Sequence, residues 1–314
     1  MATRSYAVIG TGALGGFYGG RLQQAGLDVH FLLRSDYEHV KEHGLVIDSV
    51  DGDFTLPQVN AYQCASDMPR CDVAMVTLKS TANHILPEIL PHVLAEDGIV
   101  LMLQNGLGAE DAVAELVDPH AVLGGLAFIC SNKIGPGHIH HLDYIELVLG
   151  HFRRDHQPAG ITPEMEAVAT DFRQAKVLTN LNENLINARW RKLVWNVPYN
   201  GLCVLTRAKT DHIMASPELR TRAELLMWDV VRGAAACGYF IEAGFVRTML
   251  NHTEKMTPYR PSMLIDFEHG RPMEIEAIFG NPLRSARRAG IELDGLAELY
   301  DELRELEENI GVLE

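Results

Sequence analysis

The 314-residue sequence lacks paired cysteines, an excess of positive charge and any long apolar run. Each absence removes a class of function. Cys64, Cys71, Cys130, Cys203 and Cys237 form no CxxC pair, and their number is odd. That argues against a disulfide framework or a zinc ribbon, and a reduced, cytoplasmic setting is expected. Lys and Arg total 27 against 42 Asp and Glu, a formal net charge of −15. Nucleic acid and anionic membrane are therefore not expected as partners. No apolar run is long enough to span a bilayer. The N-terminus enters "SYAVIGTG" without a basic segment and a following apolar stretch, so no signal peptide is expected. Repeats and low-complexity segments are absent as well.

Hydrophobic residues make up 47% of the chain, and its length suits two domains. "YAVIG" (Tyr6 to Gly10) reads as a buried strand. Gly10-Thr11-Gly12-Ala13-Leu14-Gly15 follows, then a helical pattern through Phe17, Leu22 and Ala25 that ends at Gly26. "VHFLLR" (Val29 to Arg34) is a second strand. Strand, GxGxxG, helix, strand is the order of a Rossmann dinucleotide-binding unit. Gly10 permits the tight turn, Gly12 lets backbone approach a pyrophosphate, and Gly15 lets the helix pack on the strand. The helix N-terminus then offers N–H groups to the anion.

The end of the second strand bears on which cofactor binds. An NAD site places Asp or Glu there for the ribose 2′-hydroxyl. Here Arg34 and Ser35 stand there, with Asp36 two residues beyond Arg34. A guanidinium suits a 2′-phosphate and Ser35 can donate as well, so NADP(H) is the expected cofactor.

Further strands are expected at "DVAMVTLKS" (Asp72 to Ser80), "GIVLMLQNGLG" (Gly98 to Gly108) and "VLGGLAFIC" (Val122 to Cys130). Ligands of open α/β sheets lie outside the carboxyl ends of the strands. Arg34, Lys79, Asn105 and Cys130 are therefore candidates to line one crevice. Asn105-Gly106 is also an ordinary turn pair, and that reading stays open. "GHIHHLDYIELVLG" (Gly137 to Gly150) alternates like an antiparallel strand pair. His138 and His140 share a face, but no third ligand is near and no metal is expected. "KVLTN" (Lys176 to Asn180) closes the first domain, taken as 1–180.

From Asn182 the periodicity is helical: Glu183 to Thr206, Glu218 to Cys237, Gly244 to Lys255, Pro282 to Ala289, and a charged helix from Leu296. A helical domain, 181–314, thus follows an α/β domain of doubly wound type. Its apolar content can support a homodimer. Within "WRKLVWNVPYN", at about 100° per residue, Trp190, Leu193, Val194 and Val197 share one face. Lys192 lies opposite, among Leu185, Ala188, Trp195, Asn196 and Tyr199, with Asn200 at the flank. A lysine between apolar groups is costly unless partnered; alternatively it snorkels to the surface. Pro198 is expected to kink this helix. Further on, a turn at His269-Gly270-Arg271-Pro272 should open a helix with Pro272 near its first position and Glu274 and Glu276 in its first turn. Glu276 reads as a surface acid there, whereas Glu274 starts a row with Ala277 and Ile278 that turns toward a packed face.

Taken in order, "GTGALGG", "LLR", "TLKS", "QNGLG", "WRKLVWN" and "SMLIDFEHGRPMEIEAI" resemble the ketopantoate reductase (2-dehydropantoate 2-reductase) family along essentially the whole chain. The resemblance implies NADPH-dependent reduction of a 2-oxo acid. It implies that Lys192 is the catalytic lysine and Glu274 the conserved acid, which also contacts cofactor. Asn105 would touch cofactor and substrate; Asn196, Asn200 and Ser262 would touch substrate, as would Lys192. Gly10 to Gly15, Arg34, Lys79 and Cys130 would hold the cofactor. Two positions depart from the family pattern: Tyr259, followed by Arg260, and Thr210 stand where the family has asparagines. Arg260 raises the expectation of a more acidic 2-oxo acid. Rival readings are a reductase of another 2-oxo acid or an imine, and an NADPH-binding regulatory protein without turnover.

Overall fold

The computed structural model describes residues 4–311. The chain divides into two compact units, Met1–Gln104 with Ala109–Leu185, and Asn105–Gly108 with Ile186–Glu314.

The first unit is built on a ten-stranded sheet. Its strands are β1 (Ser5–Ile9), β2 (Asp28–Leu32), β3 (Leu45–Ser49), β4 (Phe54–Leu56), β5 (Asn60–Tyr62), β6 (Cys71–Val76), β7 (Leu94–Met102), β8 (Val122–Gly135), β9 (His138–His151) and β10 (Leu178–Leu181). They lie in the order β4-β3-β9-β8-β7-β6-β1-β2-β5, with β10 beside β9. The run β5-β2-β1-β6-β7-β8 is parallel throughout. The chain leaves β1 first for β2 and later for β6 on its other side. The carboxyl end of β1 is therefore the topological switch point of a doubly wound sheet. Residues Tyr6, Ala7, Val8 and Ile9 are wholly buried, as a strand covered on both faces requires. Helices α1 (Ala13–Gln24), α2 (Tyr37–His43), α3 (Leu86–Val93), α4 (Ala109–Val113) and α5 (Pro163–Gln174) complete the unit. Phe17, Tyr18 and Leu22 of α1 join Phe31, Ile139 and Phe172 in its core.

Two expectations about strands are corrected. Residues 138–151 form one continuous strand, not a pair; its antiparallel partner is β8. The alternation was real, but the register that used it lay in the preceding segment. β2 also stops at Leu32, so Arg34 lies in the turn that follows and not in the strand.

The second unit is helical. It holds α6 (Leu185–Thr206), α7 (Thr210–Ala215), α8 (Pro217–Ala236), α9 (Gly244–Lys255), α10 (Ser262–Glu268), a π-helical turn (Glu276–Gly280) running into α11 (Asn281–Arg288), and α12 (Asp294–Gly311). Trp190, Leu193, Val194 and Val197 are buried, and so are Ala188, Asn196, Tyr199 and Asn200 from the other side of α6. The helix is thus covered nearly all round. Pro198 removes one hydrogen-bond donor, yet the helix continues past it to Thr206. Pro272 does not start a helix: residues 271–274 are irregular, and Glu274 precedes the helical turns, its carbonyl accepting from Ile278 N at 3.1 Å. Among the described residues no helix is long and apolar enough to cross a membrane.

Candidate active site

In the first unit the glycine motif forms the turn from β1 into α1. Gly10 adopts φ +98°, a left-handed conformation that glycine takes at no steric cost. Thr77, just past β6, closes the turn from behind, its hydroxyl donating to the Gly10 carbonyl at 2.5 Å. A Cβ at Gly15 would overlap that same carbonyl and Thr77 Oγ1. Gly15 is therefore required for the helix to seat on the strand. A Cβ at Gly12 would meet no protein atom within 4 Å. Gly12 is the N-cap of α1 and no side chain caps the helix. An uncapped helix N-terminus with open space in front of its backbone fits a pyrophosphate. Ala13 and Leu14 are the first two residues of that helix and carry its first backbone N–H groups. The side chain of Thr11 is turned elsewhere, its hydroxyl donating to the Leu32 carbonyl at 3.1 Å and tying the motif to the end of β2.

Arg34 and Ser35 are exposed after β2. The Ser35 hydroxyl donates to Asp36 Oδ1 at 3.1 Å, so its proton is used within the turn. Asp36 itself is buried. Lys79 is half-buried just beyond the carboxyl end of β6. Cys130 sits on β8 opposite Asp143, where burial, reinforced by the Asp143 charge, pushes its thiol up to about 12. It is a neutral thiol at physiological pH, suited to contact and not to nucleophilic chemistry.

In the second unit α6 carries the most unusual group. Lys192 is half-buried on a helix that is otherwise largely enclosed. Desolvation, helped by the charge of Arg189 one turn earlier and opposed by the charge of Glu274, brings its pKa down to about 7. Glu274 is only 3% exposed and provides the opposing charge. Glu276, in contrast, is taken up by Tyr300 and Arg284 at 2.6 and 2.7 Å on the outer side. Arg189 was not singled out in the sequence, although the wheel places it only about 60° from Lys192.

Asn196 and Asn200 follow Lys192 by one and two turns, and both are buried. Asn200 Nδ2 donates to the Asn196 carbonyl at 3.0 Å, leaving Asn200 Oδ1 buried without a protein partner. A buried acceptor lacking a donor is costly and marks a place where a ligand donor would be welcome. Ser262 opens α10 and is half-buried.

Asn105 also belongs to this unit. Gly106 takes φ +87°, and a Cβ there would overlap the Ala277 carbonyl. Leu107 N–H donates to the same carbonyl at 2.9 Å, and Asn281 Nδ2 donates to the Leu107 carbonyl at 2.7 Å. The Asn-Gly pair is thus more than a surface turn. It clamps Asn105 onto the helical turns that follow Glu274.

The two departures from the family pattern are joined. Thr210 N–H donates to the Tyr259 carbonyl at 3.1 Å, and Tyr259 N–H donates to Thr210 Oγ1 at 3.0 Å. The Tyr259 ring lies 6.3 Å from that of Trp195, which in turn lies 5.0 Å from Tyr199. Arg260 is ion-paired with Glu268. Its charge is therefore partly offset by a neighbouring acid on α10.

Residues 6–154 match the family "Ketopantoate reductase PanE/ApbA", and residues 184–307 match its C-terminal counterpart. A 2-dehydropantoate 2-reductase of Nostoc sp. is 52% identical over 98% of this chain and 96% of its own. The crystal structure of a 2-dehydropantoate 2-reductase from Geobacter metallireducens is 42% identical, with TM-score 0.92, and covers 97% of this chain and 99% of its own. The corresponding structure from Methylococcus capsulatus is 34% identical, with TM-score 0.87, covering 98% and 97%. A two-unit reductase with a Rossmann sheet and a lysine-bearing helical unit is thereby defined. The chain belongs to the ketopantoate reductase PanE/ApbA family.

Proposed function

We propose that this protein reduces 2-dehydropantoate to pantoate with NADPH, the reaction named by its relatives. The observation that carries the reading is Lys192, a desolvated lysine with a pKa near 7, opposed by buried Glu274 and followed by two buried amides. The turn Gly10 to Gly15 would hold the pyrophosphate, with Arg34 taking the 2′-phosphate, and Lys79 and Cys130 lining the nucleotide. NADPH, when bound, supplies the hydride that the ketone carbon accepts.

The protein's own part is to manage charge and a proton. Negative charge develops on the ketone oxygen as the carbonyl is reduced. Protonated Lys192 donates a hydrogen bond to that oxygen and then gives up the proton from Nζ. A pKa near 7 suits this role, because the ammonium is still populated at neutral pH and parts with its proton readily. Glu274 keeps the lysine from being deprotonated outright by its apolar setting. Asn105, Asn196 and Ser262 hydrogen-bond the substrate without adding net charge. The unpartnered Asn200 Oδ1 accepts from the substrate hydroxyl, so a 2-oxo acid lacking that hydroxyl leaves it unsatisfied.

Initial rates of NADPH oxidation with 2-dehydropantoate and a panel of other 2-oxo acids test the reading. The expected result is a kcat/KM for 2-dehydropantoate at least about tenfold above the others. A different preferred 2-oxo acid or imine would reassign the substrate. NADPH binding without turnover of any ketone would replace the enzyme with a binding protein.

A further inference from the structure

Asp36 stands two residues after Arg34, in the region where a Rossmann site for an unphosphorylated ribose places its acid. Here the carboxylate is turned away from that task. Asp36 is 7% exposed. Lys133 Nζ lies 2.5 Å from Oδ2, and the Gly137 N–H donates to the same oxygen at 3.0 Å. Ser35 occupies Oδ1. Asp36 is also the N-cap residue of α2, yet its side chain makes no capping hydrogen bond there. An aspartate at that position ordinarily caps its own helix; this one is committed across the sheet instead.

The partner is the tip of the β8–β9 hairpin. Gly137, at φ +60°, sits so close to α2 that a Cβ would come 2.9 Å from the Gly44 carbonyl and from Val40 Cγ2. Its own carbonyl accepts from Val46 N–H at 2.9 Å. The tip is thus locked onto the β2–α2 corner, and Lys133 is delivered from β8 to the carboxylate. Burial opposes the charged form of Asp36, but the Lys133 ion pair with the Gly137 and Ser35 hydrogen bonds overcomes it and keeps the carboxyl below its ordinary range.

We infer that Lys133 is a cofactor-specificity residue: by holding Asp36 inward it withholds the acceptor a ribose 2′-hydroxyl would use and removes the charge that would repel a 2′-phosphate at Arg34. The inference rests on the NADP(H) reading above. An outward Asp36 would do two things at once. It would offer NADH a hydrogen-bond acceptor, and it would place a negative charge beside the phosphate of NADPH. Lys133 is therefore a positioning residue that acts on the nucleotide through Asp36.

The test compares dissociation constants and KM for NADPH and NADH in Lys133→Met, Lys133→Arg, Asp36→Asn and the double variant Lys133→Met with Asp36→Asn. In Lys133→Met, NADPH should weaken about tenfold while NADH binds as well as in wild type or tighter and kcat holds. Lys133→Arg should keep the wild-type ratio, and Asp36→Asn added to Lys133→Met should restore NADPH binding. A purely structural role for Lys133 would weaken both cofactors alike; that outcome, or an unchanged NADPH-to-NADH ratio, overturns the inference. Should Lys133→Met not fold, Asp36→Asn alone decides. Retained or strengthened NADPH preference supports the inference, and lost preference overturns it. Wild-type protein that uses NADH as well as NADPH would instead sink the NADP(H) reading itself, whatever the Lys133 variants do.

Discussion

Thr210 and Tyr259 hold each other through two hydrogen bonds, each backbone N–H donating to the other residue, once to a carbonyl and once to the threonine hydroxyl. Thr210 is wholly buried, so neither bond is exchanged freely with water. The two departures from the family pattern are one structural change. Thr210→Val preserves the shape but removes the acceptor for Tyr259 N–H. It should cost about 1–3 kcal/mol of stability, read as a lowered urea midpoint with unchanged m-value. A variant as stable as wild type would show that the clasp contributes nothing.

Lys192→Ala should lower kcat by about 10² to 10⁴, the range expected for a lost general acid. NADPH affinity, measured by nicotinamide fluorescence, should stay within about twofold. Near-normal turnover would remove Lys192 from the chemistry.

The pH profile follows from the depressed lysine. A general acid must be protonated, so ketone reduction should be constant below about pH 7 and fall as pH rises through the Lys192 pKa. Arg189→Met removes a neighbouring positive charge and should move that falling limb to higher pH. Glu274→Gln removes the opposing charge and should move it lower. For stability the sign is also fixed. The unfolded lysine binds its proton up to about pH 10.4, so between pH 7 and that value the unfolded state holds more protons and the folded state gains stability as pH rises. Limbs that do not move in opposite directions in the two variants would contradict the charge arrangement.

Gly12 and Gly15 share one motif but should fail differently. Gly15→Ala drives a methyl into the Gly10 carbonyl and Thr77, and should destabilise the fold by about 1–3 kcal/mol or more. Gly12→Ala meets no protein atom, so its melting temperature should barely change, while NADPH affinity falls about tenfold. Calorimetry paired with a binding titration separates the two outcomes.

Asn200→Ala removes a buried carboxamide whose oxygen has no protein partner. Stability should change by less than about 1 kcal/mol, because the lost hydrogen bond to the Asn196 carbonyl is offset by the lost unsatisfied oxygen. The KM for the 2-oxo acid should rise about tenfold or more. Large destabilisation with unchanged KM would make Asn200 a structural residue.

Local order along the chain was enough to identify the sheet unit, the glycine turn and the helical second half, because hydrophobic period and glycine spacing are properties of neighbours in sequence. The face of α6 that carries Lys192, Asn196 and Asn200 was likewise legible, since 3.6 residues per turn fixes which side chains stand together. Long-range pairing was not. Residues 138–151 alternate in either arrangement, and only their register with β8 shows them to be one strand. Glu274 lies before its helix because Pro272 belongs to an irregular segment, which no dipole argument about acids could reveal.

What the sequence determined by itself was the inventory: a dinucleotide turn, a cation after β2, a lysine on an enclosed helix and an acid to oppose it. Tertiary structure decided their states. Asp36 was only an acid close behind Arg34 until Lys133, 97 positions along the chain, was found against it. Arg260 looked like an added charge until Glu268 was found to offset it. For Lys192, the fold brings burial and the charges of Arg189 and Glu274 to bear on one ammonium. Charge and hydrogen bonding depend on distance in space, and distance in space is what folding supplies.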